Sequence, residues 1–301
     1  MQIKTVPEDF VVTEIAQLPL GKGKHDYYLL QKKGWTTLDV IKKLAHFLQI
    51  PLKDIGYAGN KDKQAVTSQY ISVFHSSRKK VEQFSLPDVT LTYQGSGEKR
   101  ITLGMLNGNQ FTLVVRDLDE RKALSITKIK NYFDEQRFGV EKHNVPVGKA
   151  LAEGRFQDAC NFLELLHEGK DYLKALRKLP KKLLRLYISS YQSYLWNIVA
   201  AQVDDVETIP LVGFLTELEG EIGKLYAALL KKEGITQENF LMRSLPELSA
   251  EGSERALYAD VKHFSYTYEE DELHPLKYKC LLHFELPKGA YATMVVKQLF
   301  S

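Results

Sequence analysis

Asp62 stands between Lys61 and Lys63 in the run Gly56-Tyr57-Ala58-Gly59-Asn60-Lys61-Asp62-Lys63-Gln64-Ala65-Val66-Thr67-Ser68-Gln69. A carboxylate flanked by two cations is favoured in its ionised form. An ionised, positioned carboxylate is a candidate nucleophile or base. The lysines could equally hold a nucleic-acid phosphate. Gly56 and Gly59 permit a tight turn or a close approach to a ligand. In a regular strand adjacent side chains point apart, so a direct Lys61–Asp62 pair requires an irregular loop. Lys61 is the expected cation partner of Asp62, and Lys63 is expected to meet phosphate or solvent. Thr67 and Gln69 lie on alternate residues, hence on one strand face, where they would hold the loop in place. A Lys-Asp-Lys triplet by itself is more often a solvated turn.

The elements around this run alternate. Phe10–Ile15, Tyr27–Gln31, Gln69–Phe74, Val89–Tyr93 and Asn109–Arg116 read as strands, from their period-two patterns and β-branched residues. Thr36-x-x-Asp39 resembles a capping box and opens a helix with Val40, Ile41, Leu44, Ala45 and Leu48 at helical period, stopped before Pro51. A helix is expected from about Ile126 to Gln136. From Val140 to Gly252 the pattern is mostly helical, with a long helix from Lys182 to Val203 free of Gly and Pro. Tyr278–Leu286 and Tyr291–Lys297 read as closing strands. Strands, then helices, then strands predict an α+β domain interrupted by a helical insertion.

The bounds are those of an ordinary folded protein. The chain has 301 residues, 44% apolar and 26% charged, with a net charge of +3. That length allows roughly two domains. The mild positive charge permits nucleic-acid binding through a local patch without requiring it. Basic clusters at Lys22/Lys24, Lys32/Lys33, Arg78/Lys79/Lys80 and Lys178/Lys181/Lys182 read mostly as solvated faces, some of which would line an RNA cleft. Cys160 and Cys280 are too few for a disulfide framework or a zinc cluster. The N-terminal residues lack a signal core, and no run of about 18 apolar residues suggests a membrane span. The expectation is a soluble cytoplasmic protein.

The Lys-Asp-Lys run has a wider likeness. Gly-x-Lys-Asp-x-x-Ala-x-Thr-x-Gln resembles the signature of the TruD family of tRNA pseudouridine synthases. Further blocks occur in family order. Asp9-Phe10-Val11-Val12-Thr13-Glu14 is similar to the opening Asp-Phe-x-Val-x-Glu, and Gly108-Asn109-Gln110-Phe111 to Gly-Asn-x-Phe. Asn131–Gly139 resembles Asn-x-Phe-x-x-Gln-Arg-Phe-Gly, and Ser190–Asn197 the helix carrying Ser-x-x-Gln-Ser-x-x-Phe-Asn. Leu286–Thr293 resembles the closing Leu-Pro-x-Gly-x-Tyr-Ala-Thr. The family's paired arginine after the insertion is reduced here to Arg255.

The resemblance implies a mixed, mainly antiparallel pseudouridine-synthase sheet at residues 1–139 and 256–301. A helical TRUD insertion at 140–255 would lie across a basic cleft. It implies isomerisation of uridine to pseudouridine in tRNA, at uridine 13 of the D-stem in bacterial members, without cofactor or metal; a monomer is expected. Asp62 takes the catalytic place. Phe111 takes that of the aromatic that stacks on the target uracil, where periodicity alone would make it a buried strand residue. Glu14 and Asn109 match polar residues grouped near the family's site. On residue type alone Glu14 is a solvent-facing strand residue and Asn109 part of a hairpin turn. Arg137 would contact RNA or tie the domains together. The alternatives are a noncatalytic RNA-binding or RNA-folding protein on the same fold, against which Asp62 and Phe111 argue, and an Asp-dependent phosphohydrolase. The second would want a magnesium site with several carboxylates, and no acidic cluster near Asp62 supplies one.

Overall fold

Alternation of apolar and polar residues builds the main sheet of this protein. The structure is a computed structural model and describes residues 1–165, 169 and 171–300. Two units emerge, one of residues 1–129 and 260–301, the other of residues 130–259.

The first unit starts with β1 (Gln2–Ile3), β2 (Phe10–Ile15) and β3 (His25–Lys33). Helix α1 (Thr37–Leu48) follows, then β4 (Ile55–Tyr57), β5 (Val66–Phe74), α2 (Arg78–Glu82), β6 (Val89–Gly97), β7 (Gly108–Leu118) and the short β8 (Lys128–Lys130). The second unit holds α3 (Glu135–Phe138), α4 (Asn144–Ala152), α5 (Phe156–Phe162), α6 (Tyr172–Arg177), α7 (Lys181–Ala200), β9 (Thr208–Leu211), α8 (Gly220–Glu233) and β10 (Ser253–Ala256). The chain passes through β11 (Tyr258–Asp260) and returns to the first unit as β12 (Lys262–Glu270), β13 (Tyr278–Pro287) and α9 (Ala292–Phe300).

Among the described residues nine strands form one sheet, ordered β12-β13-β7-β2-β5-β3-β6, with β1 beside β7 and β4 beside β5. Its pairings are antiparallel apart from β2 with β5. Directly paired residues share a face. Lys32, Thr67, Val12, Phe111 and Phe284 therefore form one row across the sheet. The neighbouring row on that face holds Gln69 opposite Leu30, and Asn109 opposite both Glu14 and Leu286.

Helix α1 packs on this face. Thr36 is its N-cap, accepting from the Asp39 amide at 3.1 Å, and Gln49 ends it in the left-handed conformation. Val40, Ile41, Leu44, Ala45 and Leu48 join Tyr28, Leu30, Ile71 and Val73 in one core.

Two expected elements differ. The helix expected from Ile126 to Gln136 is instead β8 followed by the one-turn α3. Ile126, Ile129 and Phe133 fit a helical period, but Ile129, Asn131 and Phe133 are buried in alternation. The stretch Tyr291–Lys297, expected as a strand, is the start of α9. Thr293, Val295 and Val296 give it strand-like composition, yet Ala292, Val295 and Val296 are buried at i, i+3 and i+4. Strand β12 passed unrecognised because its burial never reaches a full apolar face.

In the second unit the blocks Asn131–Gly139 and Ser190–Asn197 pack on each other. The Phe133 amide donates to Asn197 Oδ1 at 2.9 Å, and Asn197 Nδ2 donates to the Phe133 carbonyl at 2.8 Å. Ser190 donates to the Arg137 carbonyl at 2.8 Å. Arg137 Nε reaches Ser193 Oγ at 3.4 Å. The Arg255 guanidinium lies 3.9 Å from the Phe133 ring centroid and donates to the Asn131 carbonyl. These residues hold this unit's own core together. Among the described residues no helix is long and apolar enough to cross a membrane.

A buried charge cluster fixes the start of the chain. Arg116 on β7 donates to Asp9 at 3.0 Å and to Asp271 at 2.8 Å, and pairs with Glu272 at 3.0 Å. Burial alone would raise the Asp271 carboxyl. Hydrogen bonds from the Asp117 and Leu273 amides, His274 and Arg116 outweigh it and hold that carboxyl well below the usual range. Replacing Arg116 by Met leaves Asp9 and Asp271 buried without their cation, so urea unfolding should show a loss of about 3–5 kcal/mol. Because the folded Asp271 is the stronger acid, its contribution is whole above about pH 5 and falls away progressively as pH drops from about 4 towards the lower range of the folded carboxyl. Wild type should show this acid loss, and the Arg116→Met variant should keep most of it, because the Asp117 and Leu273 amides and His274 still hold the carboxyl low.

Candidate active site

A loop outside regular structure must find partners for its backbone groups elsewhere. The segment between β4 and β5 finds them on α1 and the sheet. The Lys61 amide donates to Thr37 Oγ1 at 2.9 Å, and Thr37 donates onward to Gln69 Oε1 at 2.7 Å. Gln69 Nε2 donates to the Gly59 carbonyl at 3.1 Å. Lys32 Nζ donates to the carbonyls of Asp62 at 2.9 Å and Lys61 at 3.4 Å. Thr37 is the first residue of α1, Gln69 is on β5 and Lys32 is on β3. The loop is thus registered against three rigid elements.

Glycine matters at two nearby positions. A Cβ on Gly56 would lie 2.2 Å from the Ile101 carbonyl oxygen, and one on Gly108 would lie 2.4 Å from that of Leu286. Close backbone approach excludes a side chain at both. Gly59 faces open space at its Cβ position, so sterics do not demand glycine there.

The Asp62 carboxylate accepts from Lys4 Nζ at 2.9 Å, and its side chain is 34% exposed. Lys4 is 58 residues distant in sequence and stands in the left-handed region, φ 59°, uncommon for a residue with a side chain. Its ammonium also lies 4.1 Å from the Phe10 ring centroid, a cation–π geometry. Phe10 meets Phe111 edge to face at 6.2 Å, and Phe111 stacks on Phe284 at 5.4 Å. A continuous line of contacts therefore runs Asp62–Lys4–Phe10–Phe111–Phe284.

Lys61 directs its ammonium elsewhere than expected. It donates to Asn109 Oδ1 and lies 3.5 Å from Glu14 Oε2. Lys4, which carried no chemical signal in the sequence, is a cation in hydrogen-bond contact with Asp62. Glu14 is 3% exposed, not solvent-facing, and Asn109 is inside β7, not in a turn. Burial pushes the Glu14 carboxyl up, against the pull of Lys61 and the Tyr70 amide. Burial likewise pulls the Lys61 ammonium down, against Glu14 and Asp62. Each partner's charge opposes the burial that disfavours the other's charged form.

Phe111 is 6% exposed and two residues along β7 from Asn109, on the same face. Thr67 is fully buried in the row between Lys32 and Val12, and among the described residues its hydroxyl has no hydrogen-bond partner. Lys63 is exposed. Asp62, Lys61, Asn109, Glu14 and Phe111 thus come together at one end of one sheet face. Lys4, Lys32 and Thr37 complete the constellation. Sequence reasoning placed Lys32 in a solvated cluster, yet it continues the inward alternation of Tyr28 and Leu30, which was the available signal.

The profile of the family described as tRNA pseudouridine synthase D (TruD) matches residues 1–163, 161–204 and 200–299. The tRNA pseudouridine synthase D of Syntrophotalea carbinolica is 30% identical, over 99% of this chain and 95% of that protein. The tRNA pseudouridine synthase D of Aquifex aeolicus is 29% identical, over 100% and 98%. The crystal structure of a TruD protein from Methanosarcina mazei superposes with a TM-score of 0.75 at 27% identity, covering 99% of this chain and 93% of that one. The fold is the mixed, mainly antiparallel sheet of the pseudouridine synthases. The chain belongs to the TruD family.

Thr37→Val removes the acceptor of the Lys61 amide and the donor to Gln69 together. Each buried group left unmatched costs about 1–3 kcal/mol. Hydrogen exchange at the Lys61 amide should accelerate at least tenfold, and unchanged protection there would show that Thr37 does not anchor the loop.

Proposed function

We propose that this protein isomerises uridine to pseudouridine in tRNA, at uridine 13 of the D-stem, with Asp62 as the catalytic residue. The observation that carries this reading is the Asp62 carboxylate. It is partly open, ion-paired to Lys4, and fixed on its loop beside the face that bears Phe111. The names of the relatives support the reaction class. The first unit is the catalytic domain on this reading, and the helical second unit is the TRUD insertion. A tRNA substrate suits a cytoplasmic protein.

The reaction breaks the bond between uracil N1 and the ribose, turns the base and rejoins it through C5. The C5 proton leaves and N1 gains one, so the change is an isomerisation with no net oxidation. The target base must leave its stack. An ionised Asp62 beside the sugar and base acts as nucleophile or base, and Lys4 keeps it deprotonated and aimed. Lys61, buried against Glu14 and Asn109, fixes the backbone on the amino side of Asp62. Asn109 and Glu14 give this end of the face its polar groups. Phe111 supplies a flat ring, and base–aromatic stacking is worth roughly 1–3 kcal/mol. Its burial between Phe10 and Phe284 means that the base reaches it only as neighbouring side chains give way.

The test is pseudouridine formation in an unmodified tRNA transcript carrying U13, mapped by carbodiimide labelling and primer extension. Wild type should give a stop at that uridine. Asp62→Ala should lose at least about 4 kcal/mol of barrier lowering, a thousandfold in rate, with tRNA binding kept. Product from purified Asp62→Ala protein would refute the catalytic assignment. Phe111→Leu keeps much of the core volume and loses the flat ring, so it should slow the reaction about tenfold with a melting temperature close to wild type. Phe111→Ala adds a core cavity, for about 3–5 kcal/mol of stability.

A further inference from the structure

Lys32 is 2% exposed in the row that holds Thr67, Val12 and Phe111. Lysine is almost never buried so far unless paired. Its ammonium donates to two carbonyl oxygens, those of Asp62 and Lys61. A core position on β3 next to Leu30 would ordinarily take an apolar residue. The ammonium here serves the loop above it.

We propose that Lys32 is a positioning residue for Asp62, its buried ammonium clamping the Lys61 and Asp62 carbonyls so that the carboxylate is presented at a fixed place above the sheet. This rests on the reading of Asp62 as the catalytic residue. The clamp explains why the loop is referenced to β3 as well as α1. Thr37 holds the Lys61 amide and Lys32 the two carbonyls that follow it. With its ends so held, the Lys61–Asp62 dipeptide has little freedom to swing, and placement of a reacting group within a fraction of an ångström is what such a site needs.

The clamp depends on charge. Burial lowers the Lys32 ammonium to about 8, with Asp62 opposing the fall and Lys61 adding to it. The charged groups facing it are Asp62 and Lys61 on the loop. Lys4 of the N-terminal segment acts through Asp62, and Glu14 of β2 acts through Lys61. Thr67 of β5 is neutral. As pH rises through about 8 the ammonium becomes an amine, its charge-assisted bonds to the carbonyls weaken, and Asp62 loses a neighbouring positive charge.

Wild type, Lys32→Met and Lys32→Arg would be compared in full-length protein by three readouts. These are tryptic cleavage after Lys61 and Lys63, tRNA affinity, and single-turnover pseudouridine formation between pH 6 and 9.5. The proposal expects Lys32→Met to be cut in the loop at least fivefold faster than wild type and to react at least tenfold more slowly. Its tRNA affinity should stay within threefold. Wild-type rate should fall above pH 8. That fall should be absent in Lys32→Met, which has nothing to titrate, and in Lys32→Arg, which stays charged. Unchanged tryptic cleavage in Lys32→Met, a wild-type rate in that variant, or the same alkaline fall in both variants would overturn the proposal. If Lys32→Met does not fold, the alkaline limb of Lys32→Arg decides. If wild type forms no pseudouridine, the functional reading fails, and tryptic cleavage alone decides whether Lys32 clamps the loop.

Discussion

The whole site depends on one constraint, that a carboxylate be presented from irregular backbone without leaving that backbone free. Helices and strands satisfy their own amides and carbonyls, and loops do not. Here the loop's polar groups are met by side chains from elements that have no freedom of their own. Thr37 opens α1, whose apolar face is locked into the core with Tyr28, Leu30, Ile71 and Val73. Gln69 and Lys32 stand on neighbouring strands, one row apart. The polar residues buried beneath the loop are therefore its scaffold. Thr37, Gln69 and Lys32 each find a partner in the loop, and the loop finds its partners in them, as buried polar groups require.

Electrostatics reinforces that mutual arrangement. Lys4, Lys32 and Lys61 surround two carboxylates, Asp62 and Glu14. Each lysine addresses a different part of the loop or its floor: the Asp62 side chain, the backbone, and the Glu14–Asn109 pair. The positive excess favours the ionised form of the carboxylates it surrounds. Division of labour also answers why adjacent Lys61 and Asp62 need not pair directly. Lys61 turns to Asn109 and Glu14, and Lys4 from a remote segment reaches the Asp62 carboxylate instead.

Most strands of the sheet were legible because alternation is a local property, while β12 and the short β1 and β4 were not. Phe10–Ile15 matches its expected bounds, and β5, β7 and β13 extend the expected segments by a few residues at most. Helix α1 was legible from its cap and its apolar stripe. The failures occurred where two periods compete. Residues 126–133 satisfy a helical spacing and are held out of a helix by tertiary burial. Residues 291–297 carry β-branched side chains and fold as a helix, since propensity is weaker than packing. At the site, Asp62, Asn109 and Glu14 could be named from motif resemblance, but their partners could not. Lys4 and Lys32 are brought in by strand order and register, which no local window contains. Glu14 looked solvent-facing because the strand that buries it, β7, lies about a hundred residues later in the chain.

The position of Lys4 has a cause that reaches the far edge of the sheet. Lys4 follows β1, which pairs with β7 at Ile3 and Val115, and precedes the turn in which Asp9 accepts from the Val6 amide at 3.1 Å. Asp9 is held in turn by Arg116, and Arg116 by Asp271 at the turn between β12 and β13. The left-handed backbone at Lys4 is disfavoured on its own and persists because both flanks are fixed. The buried Arg116 cluster is therefore more than a stabilising device. It fixes the segment that carries the cation of Asp62, so the ionic order of the sheet edge and the alignment of the carboxylate rest on the same short piece of chain. A protein that places its acid by way of a strand and its counter-ion by way of the N-terminal segment must keep both in one frame. The Arg116 cluster, on the strand that also bears Asn109 and Phe111, supplies that frame.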